Sequence, residues 1–221
     1  MTKRVVLLHT VPPLIEVFRG LSTLHLPDVQ VFHILDEPLL EHVRQQGGIG
    51  GGDIVRIASH VEEATAIGAQ ALLVTCSTVS PGVDSVRAQA RIPVLKIDEA
   101  MIAKAVQLGD RIGVVATNRT TLAPTELRLR QVAAAAGTPI DVSALLVEGA
   151  LPALLHGDAQ LHDQLVAAGV QALAPTVDVI VLAQASMARL LDVLLPAALS
   201  VPVLASPQLA LAQLAAMLND E

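Results

Sequence analysis

The chain has 221 residues, a formal net charge of −7 and 52% apolar residues, with two Phe and no Trp or Tyr. This length fits one large α/β domain or two small ones, in which Ala, Leu and Val must fill the core. The negative charge argues against nucleic acid or an anionic membrane as a partner, and the scarcity of aromatic rings argues against surfaces that stack bases or sugars. A small anionic substrate is not excluded, because a few N–H groups and hydroxyls can bind one carboxylate.

Short apolar runs alternate with helical patterns along the whole chain. We predict strands at residues 4–10, 29–35, 71–76, 93–97, 111–117, 140–146, 178–183 and 202–205. The predicted helices are 53–67, 82–90, 99–108, 122–136, 159–173, 187–195 and 207–218. Because continuous apolar strands separated by helices form parallel sheets that are covered on both faces, we predict an α/β fold.

Targeting and metal-binding patterns are missing from the sequence. The apolar run 5–8 is too short for a signal peptide and ends at a Pro-Pro turn, and no run of about 18 uncharged apolar residues suggests a membrane span. The lone Cys76 forms no internal disulfide, and the histidines beyond His9 lack metal-ligand spacing. We expect a cytoplasmic protein without a metal site.

Three segments of the first half recur in order in the second half. Arg4 matches Arg111, an offset of 107 residues, and the segments around Cys76 and Pro93 recur at offsets of 108 and 109. Either the domain is duplicated or unrelated βα units share the pattern. Duplication predicts one lobe at residues 1–97, with the C-terminal helix 206–221 packed on it, and a second at 98–205. Its two strand-to-helix corners would face each other across a cleft that forms the site.

Cys76 lies where an apolar strand runs into a Cys-Ser-Thr turn. We predict that Ser80 and Pro81 are the N-cap and first residue of the next helix. A thiol at such a corner faces N–H groups and the positive end of a helix, which favours the thiolate. The alternative is that Cys76 is a small buried apolar residue, as free cysteines often are.

Other polar residues follow the same predicted strand ends. Their hydroxyls and N–H groups would hold a carboxylate and the charge of an enolate, although helix capping explains each residue alone equally well. We predict that Pro124 fits the first turn of the second lobe's first helix. Asp98 and Glu99 are expected to be cap residues. The alternative for His9 is a structural role. The candidate substrate-binding residues are His9, Ser77, Thr78, Thr117, Asn118, Thr121, Gln184, Ala185 and Ser186, with Thr120 beside them.

The glycine-rich stretch 46–53 invites interpretation as a phosphate-binding loop. It lacks the Gly-Lys-Ser/Thr ending and does not directly follow a strand. We expect a mobile lid or a linker there.

These motifs resemble the aspartate/glutamate/hydantoin racemase superfamily. Residues 75–78 match its first cysteine motif, 93–100 match the strand and helix start that follow, and 113–117 with Thr121 match its threonine-rich turn. Residues 182–187, Leu-Ala-Gln-Ala-Ser-Met, align with the Leu-Gly-Cys-Ala-Gly-Met motif of hydantoin-racemase-like members. The resemblance implies two pseudo-symmetric α/β lobes, one cysteine from each on opposite faces of a substrate Cα, no cofactor, and often a homodimer or higher homo-oligomer.

Gln184 stands where the second cysteine of this family belongs, and glutamine cannot exchange a proton. Three routes remain open for Cys76. It could take a proton while water or another side chain returns one on the opposite face. It could protonate a carbanion made by bond breaking, as in the related arylmalonate decarboxylases, which keep the other cysteine. It could add to an activated double bond, as in the related maleate isomerases.

The leading hypothesis is a cofactor-independent isomerase that acts on a small carboxylated or amide-bearing substrate. Hydantoins fit the motif around Gln184 slightly better than dicarboxylic amino acids, and their Cα proton is more acidic. A decarboxylase or lyase with Cys76 as its sole proton donor is the second hypothesis. The third is a binding protein that kept the fold and lost half of the chemistry, in which Gln184 either binds the ligand or is vestigial.

Overall fold

The computed structural model describes residues 2–193, 199 and 201–219. The chain divides into two compact units. Unit 1 comprises Met1–Glu99 and Pro207–Glu221, and unit 2 comprises Ala100–Ser206. Each unit contains a four-stranded parallel sheet flanked by helices, so the predicted α/β fold is confirmed.

All eight predicted strands are present, most of them one or two residues shorter than predicted. They are β1 (Lys3–His9), β2 (Val29–Leu35), β3 (Ala71–Val74), β4 (Val94–Lys96), β5 (Arg111–Ala116), β6 (Asp141–Leu146), β7 (Val179–Leu182) and β8 (Val203–Ala205). Within the described residues, the helices are α1 (Pro13–His25), α2 (Glu37–Gln46), α3 (Gly51–Ala66), α4 (Val83–Arg87), α5 (Glu99–Leu108), α6 (Arg119–Ala135), α7 (Ala150–Leu155), α8 (Ala159–Leu173), α9 (Leu190–Val193) and α10 (Ser206–Asn219).

The two sheets have equivalent strand orders, β2-β1-β3-β4 in unit 1 and β6-β5-β7-β8 in unit 2. In unit 1, Val6 and Leu72 of the sheet pack with Val43 of α2 and Ile57 of α3 in one apolar core cluster. Unit 2 has its own cluster, in which sheet residues such as Ile180 pack with α8. The segments that repeat in the sequence therefore form equivalent strands of two separately packed units.

Three helices, α1, α2 and α7, were not predicted. Pro13 occupies the first turn of α1, and Pro38 that of α2, where the missing N–H of proline costs nothing. The Pro-Pro pair that we interpreted as a turn is thus a helix start. The short helix α7 follows Gly149, which has a positive φ of 81°.

The glycine-rich stretch forms a short connection between two helices and the start of the second. Helix α2 runs to Gln46 and α3 begins at Gly51, which leaves residues 47–50 between them. Asp53 is buried, and its Oδ2 accepts the Gly50 N–H at 2.8 Å as part of the capping of α3. The predicted linker is therefore confined to residues 47–50, and residues 51–53 belong to α3.

Two further expectations about helix starts are wrong. Pro124 lies inside α6 and not in its first turn, because the helix begins three residues before the predicted start, with Asn118 as its N-cap. Of the predicted helix 187–195, Met187 ends a 3-10 turn, α9 begins only at Leu190, and 194–195 lie outside the described residues. In the part of the chain that the structure describes, no helix has the length and apolar character that spanning a membrane requires.

Candidate active site

One pair of polar residues lies just beyond the carboxyl ends of neighbouring strands in each unit. The register of β1 and β3, continued past their ends, pairs Thr10 with Cys76. The register of β5 and β7 pairs Thr117 with Gln184 in the same way. Parallel α/β sheets bind ligands outside the carboxyl ends of their strands, so these four residues are the candidate functional positions.

Cys76 is a free, partly exposed cysteine that packs against the apolar core of unit 1. Its carbonyl oxygen accepts hydrogen bonds from the N–H groups of Val79 at 3.1 Å and Ser80 at 2.9 Å. The Ser80 hydroxyl also donates to this carbonyl, at 3.1 Å. Ser80 therefore stabilises the cysteine turn through two hydrogen bonds. The expectation that Ser80 is a helix N-cap is wrong, because Val79 is the N-cap of a 3-10 turn, Ser80–Gly82.

Burial raises the pKa of the Cys76 thiol above its ordinary value. The Thr10 hydroxyl, the N–H groups of Val79 and Thr78 and the Thr78 hydroxyl oppose this rise, because they can donate hydrogen bonds to the ionised sulfur. The rise in the thiol pKa that desolvation causes is larger than the combined lowering by these donors. The expected preference for the thiolate is therefore wrong, and α4, which follows the cysteine turn, has only five residues.

Thr10 is a candidate site residue that the sequence analysis did not include. Its counterpart Thr117 was singled out, and the repeat offset of 107 residues leads from one to the other. The duplication could therefore have identified Thr10. The other predicted residues of this turn lie beside the thiol: Thr78 is buried, and Ser77 is partly exposed.

His9 has no exposed surface, and both of its ring nitrogens are engaged. Its Nδ1 lies 2.9 Å from the Thr75 hydroxyl, which itself donates to the carbonyl of Leu8 at 3.0 Å. Its Nε2 lies 2.9 Å from His33 Nδ1, and the two rings stack. Because the Thr75 hydroxyl has one hydrogen, His9 Nδ1 is the donor to Thr75 and Nε2 accepts from His33. Neither nitrogen is open to a substrate in this arrangement.

Asp98, expected to be a cap residue, lies at the carboxyl end of β4, beside the Cys76 turn. Burial raises the pKa of its carboxyl group, against the opposing effects of Lys96 and the Ser80 hydroxyl. Its Oδ1 is buried without a hydrogen-bond partner in the described part of the chain. Glu99 accepts from the Lys96 N–H at 3.2 Å, as a capping residue does, and also forms a two-point ion pair with Arg87 at 2.6 and 2.7 Å.

In unit 2 the side chain of Gln184 is bound to Thr117 at both ends of its amide. The Thr117 N–H donates to Gln184 Oε1 at 2.7 Å, and Gln184 Nε2 donates to the Thr117 hydroxyl at 2.9 Å. Gln184 is partly exposed, and Thr117 is only 7% exposed. The structure thus brings together two residues that the sequence proposed separately.

The remaining predicted residues of unit 2 lie at the starts of two helical segments. Asn118 accepts the Thr120 N–H at 3.2 Å and so caps α6, while Thr121 is buried in its first turn. Ala185 and Ser186 are partly exposed in a 3-10 turn, Ala185–Met187. Among the described residues, no group of three or more His, Cys, Asp or Glu side chains is arranged to hold a metal ion.

Comparison with known proteins bears on these residues. The sequence model described as Asp/Glu/Hydantoin racemase matches residues 16–214. The chain belongs to the Asp/Glu/hydantoin racemase family. The resemblance stated from the motifs is confirmed, and this family member carries a single cysteine and Gln184. No match was found among the curated proteins.

Solved structures with the same fold are racemases at low sequence identity. Glutamate racemase from Bacillus anthracis superposes with a TM-score of 0.74 at 16% identity, over 99% of this chain and 82% of that one. Allantoin racemase from Klebsiella pneumoniae gives 0.72 at 19% identity, over 99% and 88%. Aspartate racemase from Picrophilus torridus gives 0.71 at 13% identity, over 97% and 94%. At such identities these structures establish the fold.

Proposed function

We propose that this chain is a cofactor-independent isomerase that moves a proton at the Cα of a small carboxylate or hydantoin through Cys76. The observation that carries the proposal is the environment of the thiol. Cys76 is partly exposed at the carboxyl edge of the sheet, and two hydroxyls and two N–H groups are placed to donate to its ionised form. Membership of a racemase family supports an isomerase as the reaction class.

The raised thiol pKa shapes the mechanism that we propose. At rest the sulfur carries its proton, because burial disfavours the thiolate. Once the thiol has lost its proton to solvent, Cα gives its own proton to the sulfur, and the electron pair of the C–H bond moves into the adjacent carbonyl to form an enolate. Donors from Thr10 and Thr78 stabilise the Cys76 sulfur while it is ionised. Return of the proton from sulfur restores the substrate. Delivery of a proton from water on the other face inverts it; the sulfur is then protonated again, and the hydroxide left behind takes up the proton that the thiol released at the start.

We infer the substrate class from the negative charge that develops when Cα loses its proton, and from the family to which the chain belongs. A carboxylate or a hydantoin carbonyl acidifies the Cα proton and offers oxygen atoms to hydroxyl and N–H donors. We propose that Ser77, Thr121, Ala185 and Ser186 supply such contacts, together with the residues paired above. The related structures are named for glutamate, aspartate and allantoin, which defines the first substrates to test. A cytoplasmic location and a homo-oligomeric state are part of this proposal.

A second function, a lyase or decarboxylase, is favoured by one specific observation. A thiol with a raised pKa is better prepared to give a proton than to take one. In such an enzyme the carbanion forms when a carbon–carbon bond breaks, and Cys76 protonates it once. This alternative predicts carbon dioxide release from substituted malonates and no exchange of a Cα proton in the product.

Proton exchange with solvent tests the first function. We expect deuterium from D2O to enter Cα of at least one of glutamate, aspartate, allantoin or a 5-substituted hydantoin, followed by proton NMR. Cys76→Ala should abolish this exchange, whereas Ser85→Ala, at an exposed position of α4, should leave it intact. Exchange that persists in Cys76→Ala would show that the proposed acid–base group is wrong.

A further inference from the structure

The hydrogen-bond directions between Gln184 and Thr117 are fixed by one obligatory donor. The backbone N–H of Thr117 can only donate, so the amide oxygen of Gln184 must face it, at 2.7 Å. The amide nitrogen therefore faces the Thr117 hydroxyl, 2.9 Å away. Because that nitrogen can only donate, the hydroxyl oxygen is the acceptor. A flipped amide would set two donors against each other.

The hydroxyl of Thr117 consequently keeps its own proton for another partner. A threonine hydroxyl has one hydrogen, and none of the bonds between Thr117 and Gln184 uses it. Gln184 Nε2 also keeps its second hydrogen. The pair thus presents two N–H or O–H donors and remains electrically neutral.

The equivalent threonine of unit 1 has the opposite task. Thr10 is paired by register with Cys76, and its buried hydroxyl has no hydrogen-bond partner among the described residues, so it is available to donate to the ionised sulfur and to lower the thiol pKa. Replacing a cysteine with glutamine at the repeated position therefore reverses the role of the threonine. In unit 2 the hydroxyl of Thr117 accepts from Gln184, whereas in unit 1 the hydroxyl of Thr10 is free to donate to the ionised sulfur of Cys76.

We propose that Gln184 is a positioning residue that holds the Thr117 hydroxyl as a hydrogen-bond donor to an oxygen anion of the ligand, a carboxylate or an enolate. Unit 2 then contributes a neutral anion-binding pair at the strand ends equivalent to those that carry Thr10 and Cys76 in unit 1. This deepens the proposed function and rests on it for the class of ligand. It also assigns all proton transfer to unit 1.

The chemistry of the pair suits an oxygen anion better than a base. Neither an amide nor a threonine hydroxyl ionises near neutral pH, so neither can accept a Cα proton. Two neutral donors can bind a carboxylate through hydrogen bonds to a charged acceptor, which are stronger than bonds between neutral groups. Locking the amide onto Thr117 removes most of the side-chain freedom that binding would otherwise cost.

Malonate is a suitable probe, because its carboxylates supply the oxygen anion and its binding can be measured directly. In a 15N–1H NMR titration of the full chain, we expect malonate to shift the Thr117 backbone amide and the Gln184 side-chain amide. Thr117→Val removes the donor and should weaken malonate binding about tenfold, the usual loss for one hydrogen bond to a charged group, while Thr117→Ser should retain it. Equal affinity in Thr117→Val and wild type would overturn the proposal.

Two substitutions of Gln184 separate positioning from simple structural support. Gln184→Glu supplies a second acceptor, which would draw the Thr117 hydroxyl proton to itself and repel the anion, so malonate should bind at least tenfold more weakly. Gln184→Met should fall between this variant and wild type, and Gln171→Met, at an exposed position of α8, should match wild type. Unchanged malonate affinity in Gln184→Glu would contradict the proposed donor direction. Malonate binding without deuterium exchange on any substrate would disprove the isomerase and leave this inference standing.

Discussion

At the residue scale, Cys76 is governed by two opposing effects, and burial is the larger. The donors around the sulfur lower the thiol pKa, but desolvation keeps it raised. The sequence places the cysteine correctly at a strand end. It does not give the balance between the two effects, because that depends on how the core of unit 1 closes over the turn.

The pH dependence of Cys76 alkylation tests this balance. We expect iodoacetamide to react slowly at neutral pH and to speed up only above the ordinary thiol range, because the thiolate is the reacting form. Thr10→Val and Thr78→Val each remove a donor to the thiolate, so they should raise the pKa further and slow alkylation several-fold at a given pH. Thr23→Val, at an exposed position of α1, is the control. A faster reaction in Thr10→Val would refute the donor role.

The buried pair of His9 and His33 makes a separate prediction about stability. Burial, followed by the neighbouring His33, lowers the pKa of His9 to about 3. Burial also lowers the pKa of His33, which faces Arg19 and Glu16. In the unfolded chain such rings bind a proton near pH 6.5, whereas in the folded chain they stay neutral. The free energy of unfolding is therefore unaffected by these histidines above that pH and falls as the pH decreases below it. The sequence could not show this, because His33 belongs to a different strand.

Urea denaturation at several pH values measures this loss. Between pH 6.5 and 4.5, His9 alone should cost about 1.4 kcal/mol of unfolding free energy per pH unit. His9→Leu should reduce the slope of the unfolding free energy against pH by about 1.4 kcal/mol per pH unit, the contribution of one proton. It also destabilises the protein at neutral pH. The exposed His156→Leu should keep the wild-type slope. Equal slopes for His9→Leu and wild type would show that His9 is not held neutral.

At the element scale, strands are easier to predict from this sequence than helix starts. Strands buried on both faces, such as β3 and β7, appear as continuous apolar runs. The positions of three helices were missed or misplaced because of proline, which lies in the first turns of α1 and α2 and in the interior of α6. Residue type alone does not distinguish a proline that begins a helix from one that interrupts it.

Removing the interior proline of α6 is expected to stabilise the protein. Pro124 has no N–H to donate to the carbonyl four residues earlier, and its ring crowds that carbonyl. Pro124→Ala should increase the free energy of unfolding by up to about 3 kcal/mol, measured by thermal or urea denaturation. Glu126→Ala, two positions further along the helix, should change it little. A destabilised Pro124→Ala would mean that the ring packs in a way that outweighs the lost hydrogen bond.

At the scale of the whole molecule, two units with equivalent strand orders carry different polar pairs. The offsets of 107 to 109 residues between matching segments of the sequence indicate the repeat. They also show that Cys76 and Gln184 correspond. They cannot show that the amide is locked onto Thr117, because this depends on the register of β5 and β7 and on side-chain geometry. A shared cleft for the two strand-end corners stays a prediction.

The most direct test of the account compares two rates in D2O, deuterium entry at Cα and inversion at Cα, with the substrate that the wild type exchanges fastest. With one thiol, we predict that deuterium enters faster than the configuration inverts, because Cys76 can return a solvent-derived proton to the face from which it took one. Gln184→Cys should raise inversion toward the exchange rate, and Cys76→Ala should lose both. Inversion as fast as exchange in the wild type, with no gain in Gln184→Cys, would contradict the assignment of proton transfer to a single thiol.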